Sequence, residues 1–348
     1  MQRNETNNNL KVQVDWLEFT IHEFNTPIQV FNYLGLIPTD FEESTGKYGY
    51  RKSLKHICEP IYILYDGTED MGIHIRVTGS AIDPFLNYLK YNTGISYSRE
   101  YNGTILDNDS SDEKIFSFFI NKILSIDAKF TRIDLAIDDV YEKYFSCSQV
   151  QKMIENGQCV SKFKSYNNQD FRTLKGEKKG HTIYFGSRQS DTFLRIYDKA
   201  LEQKSSYPWV RWELEIKHAK ADRVAHEICQ RQSISAVAFG ILQTYIRFIN
   251  IDNNVRSRCS TNTIWLDFLA NSQKIALTLP KKELSVDRSL GWLNKQVKPT
   301  LAGLVTYFDG DASFIFDDLS SDFNRLSPLA KALYLNDGKT KKGNDDKN

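Results

Sequence analysis

KFTRIDLAIDDV, residues 129–140, alternates strictly: Ile133, Leu135 and Ile137 fall on one side, and Arg132, Asp134, Ala136 and Asp138 on the other. Successive side chains of a strand point to opposite faces, so this stretch reads as a strand with one apolar and one charged face. Two later stretches repeat the pattern. In FLRIYDK (193–199), Phe193, Arg195, Tyr197 and Lys199 oppose Leu194 and Ile196. In VRWELEIK (210–217), Arg211, Glu213, Glu215 and Lys217 oppose Trp212, Leu214 and Ile216. For any one of them, a solvated sheet face with ordinary cross-strand ion pairs is a sufficient explanation. If the three are neighbours, one face gathers four carboxylates, a phenol and several cations. Grouped carboxylates suit a hard cation such as Mg²⁺ or Mn²⁺. Arginine and lysine beside them suit phosphate. The combination points to phosphoryl transfer.

Outward from these strands the chain mixes both element types. VDWLEFTI (14–21) alternates with Leu17, Phe19 and Ile21 on one side, and PIYILYDG (60–67) and GIHIRVTGS (72–80) are strands closed by glycine. Helices are expected at 83–90, at 112–125 and from Ser148 to Gly157. Residues 158–180 read as loop or irregular edge, and 181–200 as a hairpin turning at GSRQSD. Helices follow from about 220, through 233–249, and at 265–271, 290–297 and 327–335, the last opened by Ser327-Pro328. The expected fold is α+β: antiparallel sheet with flanking helices, then a helical C-terminal portion. The expected divisions are a mobile N-terminus (1–11), an α+β domain (12–250) of one or two sheet-containing lobes, a mostly helical part (251–336) and a disordered tail (337–348).

The 348 residues carry a net charge of +1, from 45 Lys+Arg against 44 Asp+Glu. That excludes a binder working through bulk positive charge. The total hides a division: residues 161–235 hold fifteen basic and nine acidic side chains, so this segment is +6 and the remainder −5. Tyr166, Phe171, Tyr184, Phe185 and Phe193 interleave with the cations, as in grooves that hold single-stranded nucleic acid. Five scattered cysteines with no CxxC pair exclude a zinc ribbon and a disulfide scaffold. The polar start MQRNETNNN is no signal peptide, and no apolar run is long enough to span a bilayer, so a cytoplasmic protein is expected. There is no GxxxxGK[ST] loop for ATP hydrolysis.

TRIDLAIDD, TIYFGSRQSDTFLRIYDK and RWELEIK, with VDWLEFT and the RVTGS segment, resemble the core motifs of the Rep_trans family. These are replication initiators of rolling-circle plasmids of Gram-positive bacteria, with related phage and conjugative-element proteins. The likeness spans about residues 12–300. It implies a site-specific DNA nickase that attaches the 5′ phosphate to a tyrosine and frees a 3′-OH as primer. The matching position is Tyr197. Its phenol, with an ordinary pKa near 10, needs help to become a nucleophile. Arg195 and Lys199 are candidates for stabilising phenolate and holding phosphate. Asp134, Asp138, Glu213 and Glu215 are candidates for a Mg²⁺ or Mn²⁺ site, or one of them for the base. The six histidines never flank a single apolar residue as a pair, unlike the two-histidine metal motif of other relaxases, which favours carboxylates. The resemblance further implies origin DNA as partner, a host helicase and polymerase, and a homodimer.

Two alternatives stay open. One is a relaxase of a conjugative or integrative element with the same chemistry. Such relaxases often carry an added N-terminal helix-turn-helix, and the early strand VDWLEFT leaves no room for one, which favours replication. The other is a non-catalytic origin-binding protein on the same fold.

Overall fold

The structure, a computed structural model, describes residues 10–91, 100–101, 104–105, 112–269, 275, 277, 285–313 and 331. The helix expected at 327–335 and the two polar ends lie outside the described residues, apart from Leu10, Lys331 and the first strand's start. The chain divides into two compact units, Met1–Leu279 and Pro280–Asn348.

The strands of the first unit begin with β1 (Leu10–Ile21), β2 (Phe41–Thr45), β3 (Lys52–His56), β4 (Ile61–Tyr65) and β5 (Ile73–Thr78), and the stretches expected as strands at 14–21, 60–67 and 72–80 become β1, β4 and β5. After β6 (Glu100–Tyr101) and β7 (Thr104–Ile105) come β8 (Ala128–Val140), β9 (Cys159–Ser161), β10 (Tyr166–Arg172), β11 (Lys178–Phe185), β12 (Thr192–Asp198), β13 (Trp209–Lys217) and β14 (Ile246–Phe248). Ten of them form one sheet in the order β10-β11-β12-β13-β8-β1-β5-β4-β3-β2, with every pairing antiparallel. β14 pairs with β9, and β6 with β7, in two small ribbons.

The helices of this unit are α1 (Pro27–Leu34), α2 (Ile82–Tyr91), α3 (Asp112–Leu124), α4 (Cys147–Glu155), α5 (Lys199–Gln203), α6 (Ala219–Arg231), α7 (Ile234–Tyr245) and α8 (Thr263–Phe268). Helices α2, α3, α6 and α7 lie against β1 and β8, sealing Leu17, Phe19, Ile133, Leu135, Ile137, Leu214 and Ile216, each fully buried. The second unit carries α9 (Val286–Trp292), a π-helical turn (Leu293–Val297) and α10 (Lys298–Tyr307).

Trp212 anchors the strand that later proves central. Its ring lies 5.1–6.3 Å from those of Phe145, Phe248, Trp265 and Phe268 and is wholly buried. Trp212→Ala would empty the middle of this cluster, and a loss of about 3–5 kcal/mol is expected. Denaturant unfolding reads it directly; a change below about 1 kcal/mol would show that the cluster collapses freely around the gap.

Some local expectations change. The helix expected from Ser148 begins one residue earlier, at Cys147, because Ser146 caps it. Ser146 Oγ accepts from the Gln149 amide at 3.0 Å, and the Gln149 side chain accepts from the Ser146 amide at 2.8 Å, a reciprocal box. Residues 158–180 hold β9, β10 and the start of β11 rather than loop. β10 is an edge strand whose polar side chains stay largely exposed, so its pairing is by backbone and leaves no apolar pattern to read. Strand β2, mostly exposed at the opposite edge, and the partly buried β3 beside it gave no such pattern either.

Candidate active site

Register places the three charged strands side by side. Tyr197 on β12 faces Arg211 on β13, which faces Asp138 on β8. One row along, Arg195 faces Glu213. In the next, Phe193 faces Glu215, which faces Asp134, which faces Trp16 of β1. The seven residues singled out from the sequence therefore meet in one region. Lys199 arrives differently: it is the first residue of α5, not the last of a strand, and its Nζ lies 3.5 Å from the Tyr197 hydroxyl.

This region is not a solvated face. Asp134, Asp138 and Glu213 are at most 1% exposed, and Glu215 8%. Buried carboxylates need partners, and each has a cation. Arg132 donates to both oxygens of Asp134, at 2.9 and 2.6 Å, and to Glu215 at 3.1 Å. Arg211 grips both oxygens of Asp138, at 2.7 and 2.8 Å. Arg195 pairs with Glu213, and Lys217 with Glu215. Burial pushes Asp134 up to about 7, with Glu213 and Glu215 adding to the rise against the pull of Arg132.

A cleft of about 690 Å³ opens over this face, lined by Trp16, Arg195, Tyr197, Lys199, Arg211 and Glu213 among others. The Tyr197 hydroxyl donates to Glu213 Oε2 at 3.2 Å. Burial, then the negative charge of Glu213, holds the phenol well above its ordinary range, while Arg211 pulls the other way. Glu213 is also raised, by burial first and by Asp15, against Arg195. Arg195 Nε is buried with no hydrogen-bond partner, a spare donor beside the phenol.

Asp15 is the residue the strand pattern missed. Simple alternation sets it in phase with Leu17, Phe19 and Ile21, on the apolar side. The pairing of β1 with β8 slips between Val14 and Trp16, so Asp15 is an extra, bulged residue. A bulge re-aims a side chain. Here it sends the carboxylate to Arg211 Nη1 at 2.6 Å and into the cleft. An acid in the apolar phase of a strand was the available signal. Asp15→Asn removes a negative charge that raises both Glu213 and Tyr197. If Glu213 must be ionised for turnover, the acid limb of the pH–rate profile is expected to move to lower pH, by roughly half a unit to one unit. An unmoved limb would mean that Asp15 acts only on packing.

Mg²⁺ or Mn²⁺ would meet acids that are already engaged. As arranged, Asp134, Asp138, Glu213 and Glu215 each spend an oxygen or both on a guanidinium or ammonium group. No group of three His, Cys, Asp or Glu side chains suited to a metal occurs among the described residues. A cation would have to displace arginine to reach these acids, so the arrangement does not fit one. No helix among the described residues is long and apolar enough to cross a membrane.

Comparison with known proteins adds a second kind of observation. The profile of the replication initiation factor family, Rep_trans, matches residues 128–319, which include β8, β12 and β13. A putative DNA relaxase, NicK, of Bacillus subtilis (strain 168) is 27% identical over 303 residues, covering 83% of this chain and 79% of the relaxase. The rolling circle replication initiator protein from Geobacillus stearothermophilus superposes with a TM-score of 0.63 at 26% identity, over 78% of this chain and all of that one. The α+β architecture agrees with that initiator, the family profile spans the motif-bearing strands, and the chain belongs to the replication initiation factor family, Rep_trans.

Proposed function

We propose that this protein nicks one DNA strand at an origin through Tyr197, to start rolling-circle replication. The observation that carries the reading is the Tyr197 hydroxyl donating to Glu213 Oε2 at 3.2 Å inside a cleft walled by Arg195, Arg211 and Lys199. The buried phenol is a poor nucleophile alone, so its proton must leave as it attacks. Glu213, ionised and hydrogen-bonded to it, accepts that proton. The Tyr197 Oη–phosphorus bond forms and the phosphorus–O3′ bond breaks. The 5′ phosphate stays on the tyrosine, and the 3′ oxygen leaves to take a proton from water. Lys199, near the phenol oxygen, and the spare Nε of Arg195 stabilise the charge that develops on phenolate and phosphate. Religation is the same path reversed, with Glu213 returning the proton.

In this reading Asp134, Asp138 and Glu215 fix the cations in place, and Asp138 with Asp15 holds Arg211 against Tyr197. Origin DNA is the substrate; a host helicase separates the strands and a host polymerase extends the freed 3′-OH. The likeness to a putative relaxase favours, as second reading, the same chemistry serving transfer of a mobile element. The test is incubation with a labelled single-stranded origin oligonucleotide, followed by mass spectrometry of the digested adduct. The expected result is a nucleotide-bearing peptide modified at Tyr197. An adduct on another residue, or cleavage with no adduct, overturns the proposal.

A further inference from the structure

Beyond the cleft, the same end of the sheet carries a row of rings. Tyr141 and Tyr207 lie 5.2 Å apart, and Tyr207 and Trp209 lie 6.5 Å apart with planes 25° from parallel. Trp209 lies beneath the Arg211 guanidinium at 5.6 Å and lines the cleft that contains Tyr197. The row thus runs from open surface to the phenol. Its outer members are unusually exposed for aromatic side chains: Tyr141 59% and Tyr207 39%.

Two devices hold this exposure in place. Tyr141 and Glu142 both take a left-handed backbone (φ 67° and 51°), which residues with a Cβ adopt only when the surroundings enforce it. The enforcing group is Asp139, wholly buried, whose side chain accepts from the amides of Lys143, Tyr144 and Phe145 at 2.9, 2.9 and 3.1 Å. The Tyr141 amide then donates to the Pro208 carbonyl at 2.9 Å, tying the loop after β8 to the loop before β13. Strain stored to present a ring to water is a reason to look for what stacks on it.

The surroundings carry a small excess of positive charge. A second cleft, about 570 Å³, adjoins the row and is lined by Tyr207, by Lys178, Lys179 and Lys204, and by the acids Glu142 and Asp198, of which Asp198 pairs with Lys178 at 3.0 Å. At the inner end, Trp209 Nε1 is buried with no hydrogen-bond partner, so it has a donor to spare. Flat rings in series, flanked by lysines, suit a strand whose bases are unpaired, because stacking tolerates any base and the lysines follow its phosphates. A duplex keeps its base faces covered and has nothing to offer the rings.

We infer that Tyr141, Tyr207 and Trp209 form a stacking track for unpaired bases of the DNA strand whose phosphate reaches Tyr197. The inference takes the cleft as the cutting site from the proposed function, but its own evidence is affinity, not cleavage. The test is fluorescence anisotropy of the full-length protein with a labelled single-stranded oligonucleotide of non-origin sequence, so that nothing is cut. Tyr141→Ala and Tyr207→Ala are each expected to weaken binding by roughly 5- to 100-fold, while Tyr141→Phe and Tyr207→Phe stay within about twofold. Binding of the same sequence as a duplex should change less than about twofold in all four variants. Equal losses for single strand and duplex, or Phe variants as weak as Ala variants, or Ala variants within twofold of the parent, each overturn the track. If the affinities follow expectation but no adduct forms on Tyr197, the nucleophile is wrong and the track stands.

Discussion

Tyr197→Phe is expected to lower single-turnover cleavage of an origin oligonucleotide by roughly 10⁴-fold or more, and to abolish the covalent adduct. The substitution removes one oxygen and leaves the ring, so the fold and the affinity for single-stranded DNA should stay within about twofold. Among the described residues, the hydrogen-bond partners of that oxygen are Glu213 and Lys199, both in the cleft. Glu213→Gln separates the roles. It keeps shape and volume but removes the proton acceptor, for an expected loss of about 10²–10⁴-fold in rate. Adduct should still form slowly on the unchanged tyrosine. If Tyr197→Phe cuts at the parent rate, the nucleophile lies elsewhere. If Glu213→Gln cuts at the parent rate, the proton goes to another group.

The second large effect is on stability. Arg211→Ala is expected to destabilise the folded state by about 3–5 kcal/mol, because it strands a buried carboxylate. Asp138 is 1% exposed and gives both its oxygens to Arg211, and Asp15 loses its partner as well. For a unit of this size the melting midpoint should fall by roughly 6–20 °C. Pairing the change with Asp138→Leu, which removes the stranded charge, should recover most of the loss. A double variant no more stable than Arg211→Ala would mean that the ion pair is not the cause. The same double variant should remain a poor nickase, since Arg211 also stands opposite Tyr197. That split between recovered stability and unrecovered activity separates holding the sheet together from tuning the phenol.

The strands that carry the site were legible because alternation is a local property. Ile133, Leu135 and Ile137 could face only a core, so Asp134 and Asp138 had to face away from it, and the same held for Tyr197 and Glu213. The motifs around them were enough to place the chain among replication initiators, and the family profile agrees. Elements at the sheet edges escaped, since β2 and β10 expose most of their side chains and are held by backbone pairing, and β3 beside β2 is too polar to show an apolar alternation. Asp15 escaped for another reason: a one-residue bulge reverses the phase of β1, and a bulge is decided by how two distant strands fit.

By itself, then, the order of residues determined which side chains share a face of each strand, and so which tyrosine, acids and cations could meet if those strands were neighbours. What only the tertiary structure decided is who meets whom. The acids looked equally suited to a metal and to arginine until register set Arg211 against Asp138, Arg195 against Glu213 and Arg132 beside Asp134 and Glu215. Burial then made those pairings obligatory, because a carboxylate out of reach of water must be neutralised by whatever cation lies across the strand. The alternation rule has a range of two residues, whereas the partners of Arg211 lie 73 and 196 residues away along the chain.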